Sequence, residues 1–467
     1  MTETDFLIDA KTPAYVALAD AVWDTPELNF AEFRSAAAHR AQLAREGFRI
    51  TDAPAGLPTA LLAEAGAGGP VIAILGEYDA LPGLSQQAGL AEPRPLPTSD
   101  NGHGCGHNLL GAASLLAAAS VKDYLAANQL PGRVRYYGCP AEEGGSAKGF
   151  MVRAGCFDDV DIAICWHPAA FTGVNTPISL ACNEIDFLFV GRAAHAAEMP
   201  ELGRSALDAL ELMNVGVNFL REHMPSTARI HYAHTDSGGI APNVVQARAA
   251  IRYLIRARTL SELHALNARV YAIADGAALM TETTVTRKIV SGDVNLVGNT
   301  PLEHLMHQHL ERLGPPAFDA ADHAFATEIQ STLSADDIAT SGARFGLRPA
   351  PGDALCTAIY PLGAGDGTLV GSTDVGTVSW VVPTVQMRGA TYAIGTPGHS
   401  WQLVAQGKSP AAHKGMAHAA KAMAATAVAL LHDPALIASA KSDHTTRLAG
   451  TPFVNPIPDD VDPPLPT

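Results

Sequence analysis

Four times along this chain an apolar run suited to a buried strand breaks abruptly into ionisable residues. "VIAILGEYDALP" (71–82) ends on Glu77 and Asp79, and "RVRYYGCPAEEGG" (133–145) on Glu142 and Glu143. "DIAICWHP" (161–168) ends on His167, and "QMRGATYAIGTPGHS" (386–400) on His399. Strands buried on both faces read as nearly continuous apolar runs, whereas half-exposed strands alternate. Helices expected from about Asn108 to Ala127 and through "AKGFMVRAG" separate the runs, so the chain predicts an α/β sheet covered by helices. In each case the ionisable cluster falls where the strand ends. The carboxyl edge of such a sheet is where ligands bind.

That alternation stops at about residue 181 and resumes after 295. Between them "EIDFLFVGRAA" reads as a strand, "SALDALELMNVGVNFLREH" as an amphipathic helix, and "ARIHYAHTD" and "NVVQARAAIRYLIRA" as two strands across "SGGIAP". A helix over "LSELHALNARVYAIADGAALM" and a strand over "TETTVTRKIVSG" follow. The order β-α-β-β-α-β predicts one compact ferredoxin-like unit. The expected organisation is an α/β domain over 1–180 and 296–467, interrupted by an inserted βαββαβ domain over 181–295. A helix around "TPLEHLMHQHLERLG" and an Ala-rich helix from Pro410 to His432 belong to the second part, and "TPFVNPIPDDVDPPLPT" reads as an extended tail.

Composition narrows the function classes. A formal charge of -16 without clustered Lys and Arg argues against a nucleic-acid partner. No charge-free apolar stretch of about 18 residues reads as a membrane span, and the acidic start lacks the apolar core of a signal peptide. A cytoplasmic protein is expected. Its six cysteines are too scattered for a disulfide framework. Cys105 stands apart, because "SDNGHGCGHNLLGAASLLAA" (99–118) sets it between His103 and His107 just before a helix.

Thiolate, imidazole and carboxylate are the ligand set of zinc and related divalent ions. Taken singly, each cluster has an ordinary explanation as a solvated turn or a satisfied core histidine. Together, at equivalent sheet positions, they point to a metal site. Adjacent glutamates add a division of labour: one can bind metal while the other moves the proton of an activated water. The number of candidate ligands leaves room for two ions roughly 3.5–4 Å apart. His304, His307 and His309 read as an exposed helix face, and His39, His413 and His418 are set aside likewise. Trp166, Trp380 and Trp401 hint at an aromatic-lined pocket.

These motifs, in this order from about residue 70 to 400 and together with "GRAAHAAEMPELGRSALDA", resemble the M20 metallopeptidase family, in particular its amidohydrolase branch. The resemblance implies a catalytic domain with two zinc or manganese ions and an inserted domain that acts as lid and dimerises. It implies that Cys105 bridges the metals and that His107, Glu143, His167 and His399 complete their coordination. Glu142 would be the general base and then acid, and Asp79 would orient a ligand histidine. His195 would reach the reacting carbonyl, in cis or across a dimer. Asn243 and Arg256 would hold the substrate carbonyl and α-carboxylate, with Arg252 as a rival on the same strand face. Asn108 replaces an Asp found in many relatives, and Glu77 stands where others carry His, its role open. The implied reaction is hydrolysis of the amide between an acyl or aroyl group and an amino acid with a free carboxylate. An aminohydrolase using the same metals, or a subunit needing a homologous partner, is the alternative. A homodimer through the inserted domain is the expected assembly.

Overall fold

The computed structural model describes residues 2–175, 177–343, 352–363 and 371–466. Its strands are β1 (Arg49–Asp52), β2 (Leu61–Ala67), β3 (Val71–Glu77), β4 (Gly132–Cys139), β5 (Ile162–Ala169), β6 (Gly173–Val174), β7 (Ala181–Val190), β8 (Arg229–Asp236), β9 (Arg248–Ala257), β10 (Thr284–Asp293) and β11 (Thr384–Ala390). Seven of them form one sheet in the order β1-β2-β4-β3-β5-β11-β6, and four form a second in the order β10-β7-β9-β8. In the large sheet β4, β3, β5 and β11 run parallel, flanked by antiparallel β2 and β6. The parallel strands are the runs that end in ionisable residues. All seven residues of β3 are buried, as an interior parallel strand requires.

Helix His107–Asn128 starts at the carboxyl edge and is buried along most of its length. It packs between helices Glu3–Trp23 and Pro410–His432 and against β3. Its composition and length would pass for a membrane span, but 78% of its most apolar window is buried inside the protein. Small residues allow the close packing. A Cβ at Gly111 would lie 2.5 Å from the Glu77 carbonyl oxygen, so at this turn only glycine lets the helix lie against β3. Gly106, at φ 78°, caps the helix in the left-handed region and turns the chain from Cys105 into His107.

In the second sheet every pair is antiparallel. Helices Ala206–Leu220 and Leu260–Thr281 cover one face, with Phe187, Met213, Ile251, Tyr253 and Val270 among its core. The strand read over "NVVQARAAIRYLIRA" begins only at Arg248, because Asn243 to Ala247 turn away to run beside His195. The strand read over 386–400 likewise ends at Ala390. Its remainder is a loop that carries His399 back to the site.

The C-terminal tail is extended but docked. Ile457 and Val461 are buried with Phe150 and Val378, and Asn455 donates to the Gly149 carbonyl. The tail also receives Asn183 Nδ2 from β7 at the Pro456 carbonyl. Trp166 lies in the core against helix His107–Asn128. Trp380 packs on Phe453 and Trp401 joins a third cluster, so the three tryptophans do not line one pocket.

Candidate metal centre

The carboxyl ends of β3, β4 and β5 converge on the first turn of helix His107–Asn128. Two groups of three donors share Cys105 there, Cys105, His107 and His167, and Cys105, Glu143 and His399, and a third group is Glu77, His107 and Glu142; the atoms of each group lie within 4.8 Å of one another. Donors that share one ion lie about 3–4 Å apart when each bond is about 2.0–2.3 Å, so the groups have the right scale. Cys105 is common to the first two. Its Sγ is 3.3 Å from His167 Nε2, and Glu143 Oε2 is 3.4 Å from His399 Nε2.

Each imidazole is aimed by its other nitrogen. His107 Nδ1 donates to Asp79 Oδ1 at 2.8 Å, and His167 Nδ1 donates to the Pro168 carbonyl at 2.7 Å. Both therefore turn the lone pair of Nε2 towards the centre, as ligand histidines must. Asp79 works twice, because its Oδ2 accepts the Glu143 backbone N–H at 2.9 Å. One buried carboxylate thus ties the histidine end of the centre to the glutamate loop.

The residues fit a cation. His107 Nε2 and Glu143 Oε1 are buried, 4.0 Å apart, and neither has a hydrogen-bond partner. Orphaned buried polar atoms are costly, and two that face one space fit a shared ligand. Burial and then the Glu143 charge push the Cys105 thiol up, and burial with the charges of Glu77 and Glu143 pushes the Glu142 carboxyl well up. A divalent cation relieves both effects. Among the described residues the Glu142 carboxylate takes part in no hydrogen bond. His399 is half-exposed with φ 54°, and its pKa is raised by hydrogen bonding to Glu143.

Other candidates lie elsewhere. His195 is exposed in the second unit, and its Nδ1 accepts the backbone N–H groups of Ala197 and Glu198, so that only Nε2 is left for another partner. Exposed Asn243 runs beside it, its carbonyl taking the Ala196 N–H at 2.9 Å. Arg256 is half-buried near the base of that unit, paired in register with Cys182, and its Nε has no partner. Its rival Arg252 is committed to Asp186 at 2.7 and 2.9 Å. None of these joins the donor groups within one chain.

His103, despite its neighbours, turns away to the Val22 carbonyl at 3.0 Å, and burial lowers its pKa to about 4. Asn108 donates to the carbonyls of Ala19 and Gly407. His307 and His309 are half-buried rather than exposed, since their helix packs on Pro410–His432; only His304 is exposed. His39 is fully buried on Tyr136. All six cysteines are free.

Sequence reasoning left Glu77 without a role and missed Lys148 and Glu32 behind the centre. Glu77 is within reach of His107 and Glu142, and its Oε1 takes a 2.6 Å bond from Lys148 Nζ. Lys148 is fully buried and also meets Asp374 at 2.6 Å. A lysine after "AEEGGSA" reads as solvated, and nothing local announces a carboxylate more than two hundred residues away. Glu32 is equally silent in sequence. Buried, it accepts the N–H groups of Phe30 and Ala141, and Ala141 at φ 53° precedes Glu142.

Fold and donor set together define a class. Residues 73–440 match the model of peptidase family M20/M25/M40. The chain belongs to that family of amide-bond hydrolases. More particularly, it is 48% identical to a subunit of the p-aminobenzoyl-glutamate hydrolase of Escherichia coli K12, across 98% of each chain. It is 28% identical to the mouse (Mus musculus) Xaa-Arg dipeptidase, across 96% of this chain and 93% of that one. Among solved structures it resembles the aminobenzoyl-glutamate utilization protein of Klebsiella pneumoniae (TM-score 0.60, 18% identity, 93% of this chain and 99% of that one). It also resembles the YXEP protein of Bacillus subtilis, described as a dinuclear metal binding peptidase (TM-score 0.57, 19% identity, 91% and 99%).

Proposed function

We propose that this chain hydrolyses the amide joining an acyl or aroyl group to an amino acid with a free carboxylate, with p-aminobenzoyl-glutamate as the leading substrate. The observation that carries the reading is the pair of donor groups sharing Cys105, with the Glu142 carboxylate beside them, 4.0 Å from His107 Nε2. Cys105, His107 and His167 would hold one divalent ion, and Cys105, Glu143 and His399 a second. When bound, zinc or manganese would supply Lewis-acid activation of the carbonyl and of a water. Glu142 takes the proton of the attacking water and delivers it to the leaving nitrogen. Burial beside like charges raises the affinity of this carboxyl for the proton it takes. Asp79 keeps His107 in the ligand tautomer.

His195, Asn243 and Arg256 contribute from the inserted domain, to the oxyanion, the carbonyl and the α-carboxylate. His195 is exposed and is assigned to the site of a second copy, which requires a dimer. Helix Ala206–Leu220 supports such an assembly, because Leu212, Val215 and Phe219 expose an apolar stripe at helical spacing beside the open edge of β8. A homologous chain could take the partner's place, since the Escherichia coli relative is named as one subunit of its enzyme. Free cysteines throughout fit a reducing cytoplasm.

The test uses metal-reconstituted protein with p-aminobenzoyl-glutamate and a panel of N-acyl and N-aroyl amino acids, following free amino acid. Release is expected, and Glu142→Gln should abolish it while keeping metal content and melting temperature. Ammonia release from an aminated aromatic without amide cleavage would replace this reading with an aminohydrolase.

A further inference from the structure

Among the described residues no carboxylate lies within ion-pair distance of Arg388. This arginine is the Cα partner of His167 across the parallel β5–β11 pair, and paired residues project from the same face of a sheet. Its guanidinium therefore emerges beside a candidate metal ligand at the carboxyl edge. Among the described residues it makes one side-chain hydrogen bond, from Nε to Asn175 Oδ1 at 3.1 Å, and no ion pair.

That single bond is well supported. Asn175 is buried, its Nδ2 donates to Gln386 Oε1 at 2.8 Å, and its backbone N–H donates to the Gln386 carbonyl at 2.8 Å. The clamp fixes the Nε edge of the guanidinium and leaves both terminal amino groups unspent. Among the described residues several other arginines find carboxylates, although Arg153 and Arg256 do not. Arg135 meets Glu64 and Asp159, Arg252 meets Asp186, and Arg312 meets Asp5. The ionisable groups facing Arg388 are the Tyr392 phenol, the Cys105 and Cys165 thiols and the Glu142 carboxyl, of which Cys105 and Glu142 belong to the reacting centre itself. Burying a charge without a partner is expensive, so a fixed, half-buried and unpaired guanidinium is a site waiting for an anion. Its planar fork suits a carboxylate.

The geometry points to Arg388 as the residue that receives a second carboxylate of the substrate, making this an enzyme for amides of dicarboxylic amino acids such as glutamate. The assignment rests on the proposed amide hydrolysis, in which Arg256 already serves the α-carboxylate.

The experiment compares wild type, Arg388→Gln and Arg388→Lys in the metal-loaded full-length protein, with metal content and melting temperature checked for each. The substrates are the p-aminobenzoyl amides of glutamate, glutamine and isoglutamine, whose amide replaces the α-carboxylate. Equilibrium binding of free glutamate and glutamine is measured alongside. In wild type kcat/KM should favour glutamate over glutamine, and Arg388→Gln should shrink that ratio by about 10- to 100-fold, the worth of a charge-assisted bond in a site built for it. Arg388→Lys should keep part of the preference.

If Arg388→Gln lowers both substrates equally, Arg388 merely supports His167 and the proposal falls. It falls too if glutamate and glutamine amides suffer alike while the isoglutamine amide is spared, since Arg388 would then serve the α-carboxylate. If wild type cleaves no amide yet binds glutamate over glutamine through Arg388, the specificity assignment stands and the hydrolytic reading fails. Absence of both cleavage preference and binding preference overturns the assignment.

Discussion

Asp79→Asn is the sharpest perturbation of the candidate centre, because one buried carboxylate does two jobs that an amide cannot. Oδ1 accepts from His107 Nδ1 at 2.8 Å and Oδ2 accepts from the Glu143 N–H at 2.9 Å. Asparagine has one oxygen. If its amino group faces His107, that ring must shift its proton to Nε2, and the lone pair is lost from the centre. If it faces Glu143 instead, two N–H donors oppose each other and the loop moves. Either outcome spoils one ligand of one ion, and losing the support of a ligand typically costs 10- to 100-fold in metal affinity, or about 1.4–2.7 kcal/mol. Competition against a chromophoric chelator reads this directly, with far-ultraviolet circular dichroism to confirm the fold. Wild-type affinity at both sites in Asp79→Asn would refute the claim that the His107 tautomer and the Glu143 loop are set by this residue.

Cys105→Ala removes the donor common to both groups, so elemental analysis should find fewer than two ions per chain; full occupancy would exclude a bridging thiolate. Metal should raise the melting temperature of wild type, and chelation should lower it, because a ligand that binds only the folded state stabilises it. Gly111→Ala should lower the denaturation midpoint although alanine favours helices by about 1 kcal/mol, because its Cβ would meet the Glu77 carbonyl at 2.5 Å and overpacking costs about 1–3 kcal/mol. Asp5 supplies an acid-sensitive clamp. Burial alone would raise its pKa, but Arg312 and Thr2 hold it down at about 2 against an ordinary 3.8. A depressed carboxylate stabilises fully above its unfolded pKa and loses that contribution as pH falls through the folded one. The melting difference between wild type and Asp5→Asn should therefore be constant above about pH 4 and shrink between pH 4 and 2.

The parts legible in the sequence are those that depend on neighbours in the chain. Continuous burial of "VIAILGE" marks a parallel strand, apolar alternation marks the strands of the second sheet, and the Ala-rich stretch from about Pro410 to His432 is readable as a helix. The donors were legible too, because each ends such a strand or opens a helix. Local pattern failed where contacts across the fold decide. Asn243 to Ala247 look like strand, yet pair with the His195 segment; 391–400 look like strand, yet must loop back for His399 to meet Glu143. His103 and His107 are four residues apart with the same chemistry, and only the position of Asp79 and of the Val22 carbonyl makes one a ligand candidate and the other a core residue. Lys148, Glu32 and Arg388 carry no local mark, since what each does is set by the partner it finds or lacks. Secondary structure follows from near-neighbour sterics and burial period, which the chain states outright. Charge pairing at the bottom of a site depends on which distant strand ends the sheet brings together, and that is known only once the sheet has formed.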